Sequence, residues 1–327
     1  MIDNHKDTGL IDVLVKSVMN VASGINAWEF RRLDGGDLPP FSAGAHINLH
    51  LPNGLIRSYS LCNSQEERER YVVAINNDPR SRGGSKSIHE TLKAGDRIEI
   101  SPPRNNFPLI EDAKHTVFVA GGIGITPMWS MIQRLEKLER SWEIHYSARL
   151  RQVCAFKERL EELERRKPGR VIFNFDQEPG GKFTDLRALL TNVPPDAHIY
   201  CCGPNPMLTA FEAATRGASL PGSHVHVEYF AAKETAAVDG GFTIVLQRSN
   251  KSFVVAPGKT ILDTLLENSI DAAFSCSEGV CGTCATAVLE GIPDHRDSVL
   301  TASERASNKM MLICCSGSKS PRLVLDL

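Results

Sequence analysis

The hydrophobic pattern changes its period along the chain. From residue 10 to 110 the period is two. In residues 45–51, Ile47, Leu49 and Leu51 fall on one face while His46, Asn48 and His50 fall on the other, which predicts a half-buried strand. Pro52-Asn53-Gly54 is a hairpin turn signal, and residues 55–61, 71–76 and 97–101 are further predicted strands. Short strands with turn signals between them predict a small antiparallel barrel.

From 112 to 230 strand and helix patterns alternate. Strands are predicted at 115–120, 142–147, 171–175, 198–202 and 224–230, and helices at 127–140, 155–166, 184–190 and 206–216. This alternation predicts a parallel sheet covered by helices. In the first helix Met128, Met131, Ile132, Leu135 and Leu138 share one face, with Gln133, Arg134, Glu136 and Lys137 opposite. Such a stripe is core packing rather than a cofactor box. Residues 231–241 have the polar, glycine-ended composition of a linker. Beyond it a hairpin (242–247 and 252–256), a helix with Ile261, Leu262, Leu265 and Leu266 at helical spacing, and short strands near 286–289 and 323–325 predict a compact α+β module.

Length and charge narrow the class. A chain of 327 residues has room for two or three domains. Its hydrophobic content of 42%, charged content of 23% and formal net charge of −2 are those of an ordinary globular protein and point to neither nucleic acid nor an anionic membrane. The polar N-terminal stretch has no apolar signal-peptide core, and the most apolar run, 117–129, is too short and glycine-rich to span a bilayer. A cytoplasmic location is expected. Of nine cysteines, Cys62, Cys154, Cys201, Cys202 and Cys315 are expected to be free thiols in a reducing compartment.

The strongest chemical signal is the stretch 276–284, C-S-E-G-V-C-G-T-C, with a further cysteine thirty residues beyond it. Cys276, Cys281 and Cys284 stand at C-x4-C-x2-C, the plant-type spacing for a [2Fe–2S] cluster. Three ligands from one short segment must wrap one side of a small inorganic core, and Gly279 and Gly282 let the backbone turn to do so. Soft thiolates suit such a cluster. A structural zinc site is the alternative, but zinc cysteines usually come as two C-x2-C pairs. The fourth ligand is open at this point, because Cys314 and Cys315 are adjacent.

Weaker signals lie upstream. Arg57-Ser58-Tyr59-Ser60 puts a cation and an aromatic ring on one strand face. Ser81-Arg82-Gly83-Gly84-Ser85 opens a predicted helix and can offer N–H groups to an anion. Gly121-Gly122-Ile123-Gly124, between the first strand and helix of the α/β region, allows close approach of a pyrophosphate, and Cys202-Gly203-Pro204 ends a later strand of the same sheet.

With these segments, plus Pro103-Arg104-Asn105-Asn106-Phe107-Pro108-Leu109 and Asp294-His295-Arg296-Asp297, essentially the whole chain resembles the phthalate dioxygenase reductase family, including vanillate demethylase reductases. The order flavin, nicotinamide, ferredoxin is diagnostic of that group. The resemblance implies an antiparallel β-barrel flavin domain at 1–110, an α/β parallel-sheet nucleotide domain of ferredoxin-reductase type at 111–230, a linker at 231–241, and a β-grasp plant-type ferredoxin domain at 242–327. It implies FMN held by Arg57, Ser58, Tyr59 and Ser60, with Arg82, Gly83, Gly84 and Ser85 on its phosphate. Ala74, Ile75 and Asn76 would run along the flavin ring, and Thr126 and Phe230 would also touch it. NADH would lie on Gly121, Gly122, Gly124, Cys202, Gly203 and Pro204. The cluster ligands would be Cys276, Cys281, Cys284 and, by alignment with family C-termini, Cys314. The implied activity is NADH-dependent electron supply to a Rieske-type oxygenase acting on an aromatic acid or similar compound, with no essential acid–base residue. A monomer is expected. The rival acceptor is a cytochrome P450, and the rival without catalysis is a zinc-stabilised binding module.

Overall fold

The computed structural model describes residues 9–79, 83–218, 220–233 and 235–327. The chain divides into two compact units, Met1–Glu228 and Tyr229–Leu327.

The first unit begins with a barrel of six strands: β1 (Ile11–Ala22), β2 (Ile25–Arg32), β3 (His46–His50), β4 (Ile56–Ser60), β5 (Tyr71–Asn76) and β6 (Arg97–Ile100). All pairs are antiparallel, in the order β4-β3-β6-β1-β2-β5, and a bridge between Leu61 and Val73 joins the two outer strands and closes the sheet. Val13, Val15, Trp28, Phe30, Ile47, Leu49, Val73 and Ile100 fill the interior. Helix α1 (Gly84–Thr91) inserts Ile88 among them, and Trp28 Nε1 donates to the Leu92 carbonyl at 3.1 Å. The long β1–β2 hairpin was not among the predicted strands. Register shifts between Val15 and Ser17 and between Asn20 and Ala22 break its alternation, so the period-two signal fades.

The same unit continues into a parallel sheet of five strands: β7 (Thr116–Gly121), β8 (Trp142–Ala148), β9 (Val171–Phe175), β10 (His198–Cys202) and β11 (Val225–Glu228), in the order β11-β10-β7-β8-β9. Helices α2 (Ile125–Lys137), α3 (Lys157–Arg166), α4 (Leu186–Thr191) and α5 (Asn205–Thr215) connect them. Helix α2 departs from its simple amphipathic pattern. Met128, Met131, Ile132 and Leu135 are buried as expected, but so are Trp129 and Ser130. Three of its polar residues reach towards the barrel, while Glu136 turns to Trp142 of the α/β half. Ser130 Oγ donates to the Asn63 carbonyl at 2.9 Å, Gln133 Nε2 to the Cys62 carbonyl at 3.0 Å, and Arg134 grips Glu111 at 2.8 Å and Glu66 at 2.7 Å. One hydrophobic cluster runs from Ala43, Cys62, Val72 and Ala74 of the barrel through to Phe118, Met128 and Tyr200 of the α/β half.

The second unit has β12 (Phe242–Leu246), β13 (Lys251–Val255), α6 (Ile261–Glu267), β14 (Ala285–Glu290), β15 (Pro293–Asp294), α7 (Ala302–Ser307), β16 (Met310–Leu312), β17 (Gly317–Ser318) and β18 (Arg322–Leu325). Its main sheet runs β13-β12-β18-β14-β16, with β12 and β18 parallel and the other pairs antiparallel. Helix α6 buries Ile261, Leu262 and Leu265 in this unit's core and starts with a reciprocal Thr260–Asp263 capping box. This is a β-grasp. Among the described residues no helix is long and apolar enough to cross a membrane.

Candidate functional site

On the barrel, Arg57, Ser58 and Tyr59 are half-buried and Ser60 is buried. Ser58 Oγ donates to Asn48 Oδ1 at 2.8 Å across the β3–β4 pair. Arg57 does not stand apart from the glycine turn. A Cβ built on Gly84 would lie 2.7 Å from Arg57 Cγ and Nε, so the arginine lies across a gap that only glycine leaves open. Gly83 holds φ +88° as the N-cap of α1, with no side chain capping the helix and no acidic residue in its first turn. A cation laid over free helix N–H groups is a donor set that fits a phosphate. Arg82 lies outside the described residues.

Ala74 and Ile75 are buried, Ala74 in the cluster shared with the α/β half and Ile75 inside the barrel, while Asn76 is half-buried. Only the backbone at Ile75 could therefore face a flat ring, and His89 Nε2 already lies 2.9 Å from its carbonyl oxygen. Strand β5 packs against the turn Gly122–Gly124. Thr126, one residue into α2, is buried and donates its hydroxyl to the Ile123 carbonyl at 2.9 Å. Phe230 lies in the second unit and is 37% exposed.

The two glycine turns of the α/β half meet. Cys202 pairs with Ala120 on adjacent strands. A Cβ on Gly124 would come within 2.2 Å of the Cys202 carbonyl oxygen, one on Gly121 within 2.7 Å of Pro204, and one on Gly203 within 3.0 Å of Gly121 Cα. These glycines are needed by the protein itself: a Cβ on Gly124 would strike the backbone of the other turn, and one on Gly121 the side chains of Met207 and Pro204. Gly122 differs: it has φ +52° and open space where its Cβ would be. Helices α2 and α5 both start at this edge, and neither has a side-chain cap or an acidic first turn. The surface so formed fits a pyrophosphate. The Cys202 side chain itself is fully buried, and burial pushes its thiol well above the usual range, so only its backbone is available to a ligand.

In the second unit Cys276, Cys281, Cys284 and Cys314 are all buried. Cys276 is hydrogen-bonded with Cys281 and Cys314, and Cys314 with Cys284. These contacts push Cys276 and Cys284 down and Cys281 and Cys314 up. The Glu278 N–H donates to Cys276 Sγ at 3.4 Å. Gly279 and Gly282 hold φ +70° and +76°. Among the described residues no set of three or more His, Cys, Asp or Glu stands at metal-holding geometry, yet the four thiols lie close enough to interact with one another. Four converging soft donors fit an iron–sulfur core. Cys315 touches Cys314 but packs behind the loop, where a Cβ on Gly279 would strike its sulfur. By contrast, burial pushes Cys62 and Cys154 up to about 12, the behaviour of inert core thiols.

Two family profiles match: "2Fe-2S iron-sulfur cluster binding domain" over residues 244–318 and "Oxidoreductase NAD-binding domain" over 118–213. Tetrachlorobenzoquinone reductase of Sphingobium chlorophenolicum is 52% identical over 97% of this chain and 98% of its own. Phenoxybenzoate dioxygenase subunit beta of Ectopseudomonas oleovorans is 48% identical over 97% of both chains. The solved structure of phthalate dioxygenase reductase, described as modular for electron transfer from pyridine nucleotides to [2Fe–2S], shares 38% identity over 98% of both chains at a TM-score of 0.77. The chain belongs to the phthalate dioxygenase reductase family. It is an NAD-dependent oxidoreductase with a [2Fe–2S] domain and the flavin-reductase fold that takes FMN, of the kind that serves oxygenase systems.

The structure of this reductase also brings forward residues that no sequence motif marked. Tyr146 of β8 donates its hydroxyl to the Gly122 carbonyl at 3.0 Å and so anchors the open glycine of the turn. Phe183 is 87% exposed, an extreme value for phenylalanine, and follows β9 on the same sheet edge. Asp176, just past β9, keeps a buried carboxylate oxygen without a partner. Glu228 pairs with Cys202 at the end of β11, and desolvation of its carboxylate, one oxygen of which is buried without a partner, raises its pKa to about 8. None has a sequence signature, since each depends on where a strand ends.

Proposed function

We propose that this reductase accepts hydride from NADH at the edge of its parallel sheet and passes single electrons through the cysteine loop to a Rieske-type oxygenase acting on an aromatic acid or similar small compound. When bound, FMN and the [2Fe–2S] cluster supply the redox chemistry, namely acceptance of a hydride and its release as single electrons. The observation that carries the proposal is the packing of β5 against the turn Gly122–Gly124. It puts the strand assigned to the flavin beside the turn assigned to the nucleotide, as a hydride transfer between two bound rings requires.

In this scheme the domains are 1–110, 111–230 and 242–327, joined by the linker 231–241. Arg57, Gly83, Gly84 and Ser85, with Arg82, hold the FMN phosphate. Ser58, Tyr59, Ser60, the backbone at Ala74, Ile75 and Asn76, and Thr126 hold its ring system. Gly121, Gly122, Gly124 and the turn Cys202-Gly203-Pro204 take the NADH pyrophosphate, while Phe183 and Asp176 are placed for its adenosine end. Cys276, Cys281, Cys284 and Cys314 ligate the cluster. No side chain serves as an essential acid or base, and the protein works as a monomer.

Anaerobic NADH titration of the purified protein tests this. Overlapping flavin and iron–sulfur bands that bleach with NADH, followed by rapid cytochrome c reduction, are expected. A colourless protein that leaves NADH untouched would overturn it. The quinone reductase relative favours a second reading, in which a quinone is the direct acceptor. Reconstitution separates the two. Coupling of NADH use to product with an added Rieske oxygenase supports the first, and turnover of a halogenated benzoquinone alone supports the second.

A further inference from the structure

The segment Asp294-His295-Arg296-Asp297 has no role in the scheme above, yet it ends in the most deeply buried charged side chain of the second unit. The Asp297 side chain is 0% exposed. Its Oδ1 accepts the N–H groups of Val299 at 2.9 Å and Leu300 at 2.7 Å. Its Oδ2 is buried without a hydrogen-bond partner, with His295 Nδ1 3.9 Å away. Arg305 stands 3.6 Å from Oδ1, donates to the Asp297 carbonyl, and donates to the Leu300 carbonyl at 3.2 Å.

This buried acid lies against the cysteine loop. The Ser298 N–H donates to the Gly279 carbonyl at 2.8 Å. A Cβ on Gly279 would fall 3.1 Å from Asp297 Cα and 3.4 Å from Asp297 Cβ. Gly279 is midway between Cys276 and Cys281, so Asp297 backs the loop between two of the assigned ligands. Burying a carboxylate is costly unless it is fully paired, and here one oxygen is left without a donor. A turn needing only an acceptor for two N–H groups could use asparagine. The charge therefore calls for an explanation beyond the turn.

We propose that Asp297 and Arg305 are positioning residues that set the reduction potential of the cluster: the Asp297 carboxylate lowers it, and the Arg305 guanidinium limits how far. A negative charge in a low-dielectric setting disfavours adding an electron nearby, and net charge around a cluster is a main determinant of its potential. A lower potential favours release of the electron to the acceptor. The proposal rests on the four-thiolate assignment made above.

The test is an EPR-monitored redox titration of the full-length protein, with iron content measured alongside. Asp297→Asn keeps an oxygen to accept both N–H groups and removes only the charge, so the potential moves to a more positive value with iron content unchanged. Arg305→Gln moves it to a more negative value, and the double variant lies between. Unshifted potentials in both iron-loaded single variants, or shifts of the same sign, would overturn the proposal. If Asp297→Asn loses iron, Arg305→Gln decides alone, a negative shift supporting the proposal and no shift overturning it. A wild-type protein with no [2Fe–2S] signal would instead overturn the ligand assignment, and the proposal with it.

Discussion

The glycines of the two units do opposite work. In the first unit Gly121, Gly124 and Gly203 are glycines because two strand ends of the same protein cross at contact distance, and the crossing is complete within the chain. In the second unit Gly279 and Gly282 take left-handed backbone angles so that a loop can present sulfurs, and those sulfurs turn towards one another, with the Glu278 N–H and the Thr283 hydroxyl beside them. The nucleotide edge is thus formed by the fold, whereas the cysteine loop is formed for its metal. The first should tolerate loss of its ligand and the second should not.

The sharpest way to break that contrast is to remove iron. Chelation, or Cys276→Ala, is expected to collapse the thermal transition of the second unit while leaving that of the first in place. NADH-driven ferricyanide reduction should persist and cytochrome c reduction should stop. Equal destabilisation of both transitions would end the distinction. Next comes Gly124→Ala. Its methyl would land 2.2 Å from a backbone oxygen, and overpacking of this kind costs about 1–3 kcal/mol. Calorimetry should show that loss in the first unit together with a raised KM for NADH. Gly122→Ala, with open space around it, should cost only about 1 kcal/mol, from its left-handed backbone.

Gly84→Ala probes ligand binding rather than stability in the same unit, because its methyl meets the middle of a flexible arginine rather than backbone. Displacing one charge-assisted contact should weaken FMN roughly tenfold, about 1.4 kcal/mol, measurable by fluorescence recovery on cofactor release. An unchanged FMN affinity would separate Arg57 from the phosphate. The effect that is smallest at neutral pH belongs to a histidine. His226 is stacked on Tyr200 and lies 3.0 Å from His198, and burial with His198 and His224 lowers its pKa to about 4. The folded state therefore resists a proton that the unfolded chain accepts at its ordinary value near 6.5. Stability is complete above pH 6.5, falls as pH drops towards 4, and levels off below that. The slope should appear in the melting temperature of the first unit and flatten in His226→Gln. The same slope in both variants would assign it elsewhere.

Much of this was legible in sequence because it is local. The C-x4-C-x2-C loop, the turn Gly121-Gly122-Ile123-Gly124 and the switch from period two to strand–helix alternation each lie within a short window. Features that failed to show have identifiable causes. The β1–β2 hairpin hides behind two register shifts. The polar face of α2 reads as solvent-facing by periodicity, yet Ser130, Gln133 and Arg134 are the residues that dock it on the barrel. Helix α7 is short and polar, with no buried residue to mark it.

What the amino-acid sequence determined by itself was the kind of chemistry: thiolates at cluster spacing, glycines at strand ends, and three successive patterns of burial. Backbone conformation and ligand type act over a few residues, so their signals survive in one dimension. Only the tertiary structure decided which distant groups meet. It laid Arg57 over Gly84, crossed the glycine turns, and set Cys314 among the loop thiols with Cys315 behind Gly279. It also pressed a buried Asp297 against that loop. Those contacts join residues far apart in the chain, and their energies depend on burial, which exists only once the chain has folded.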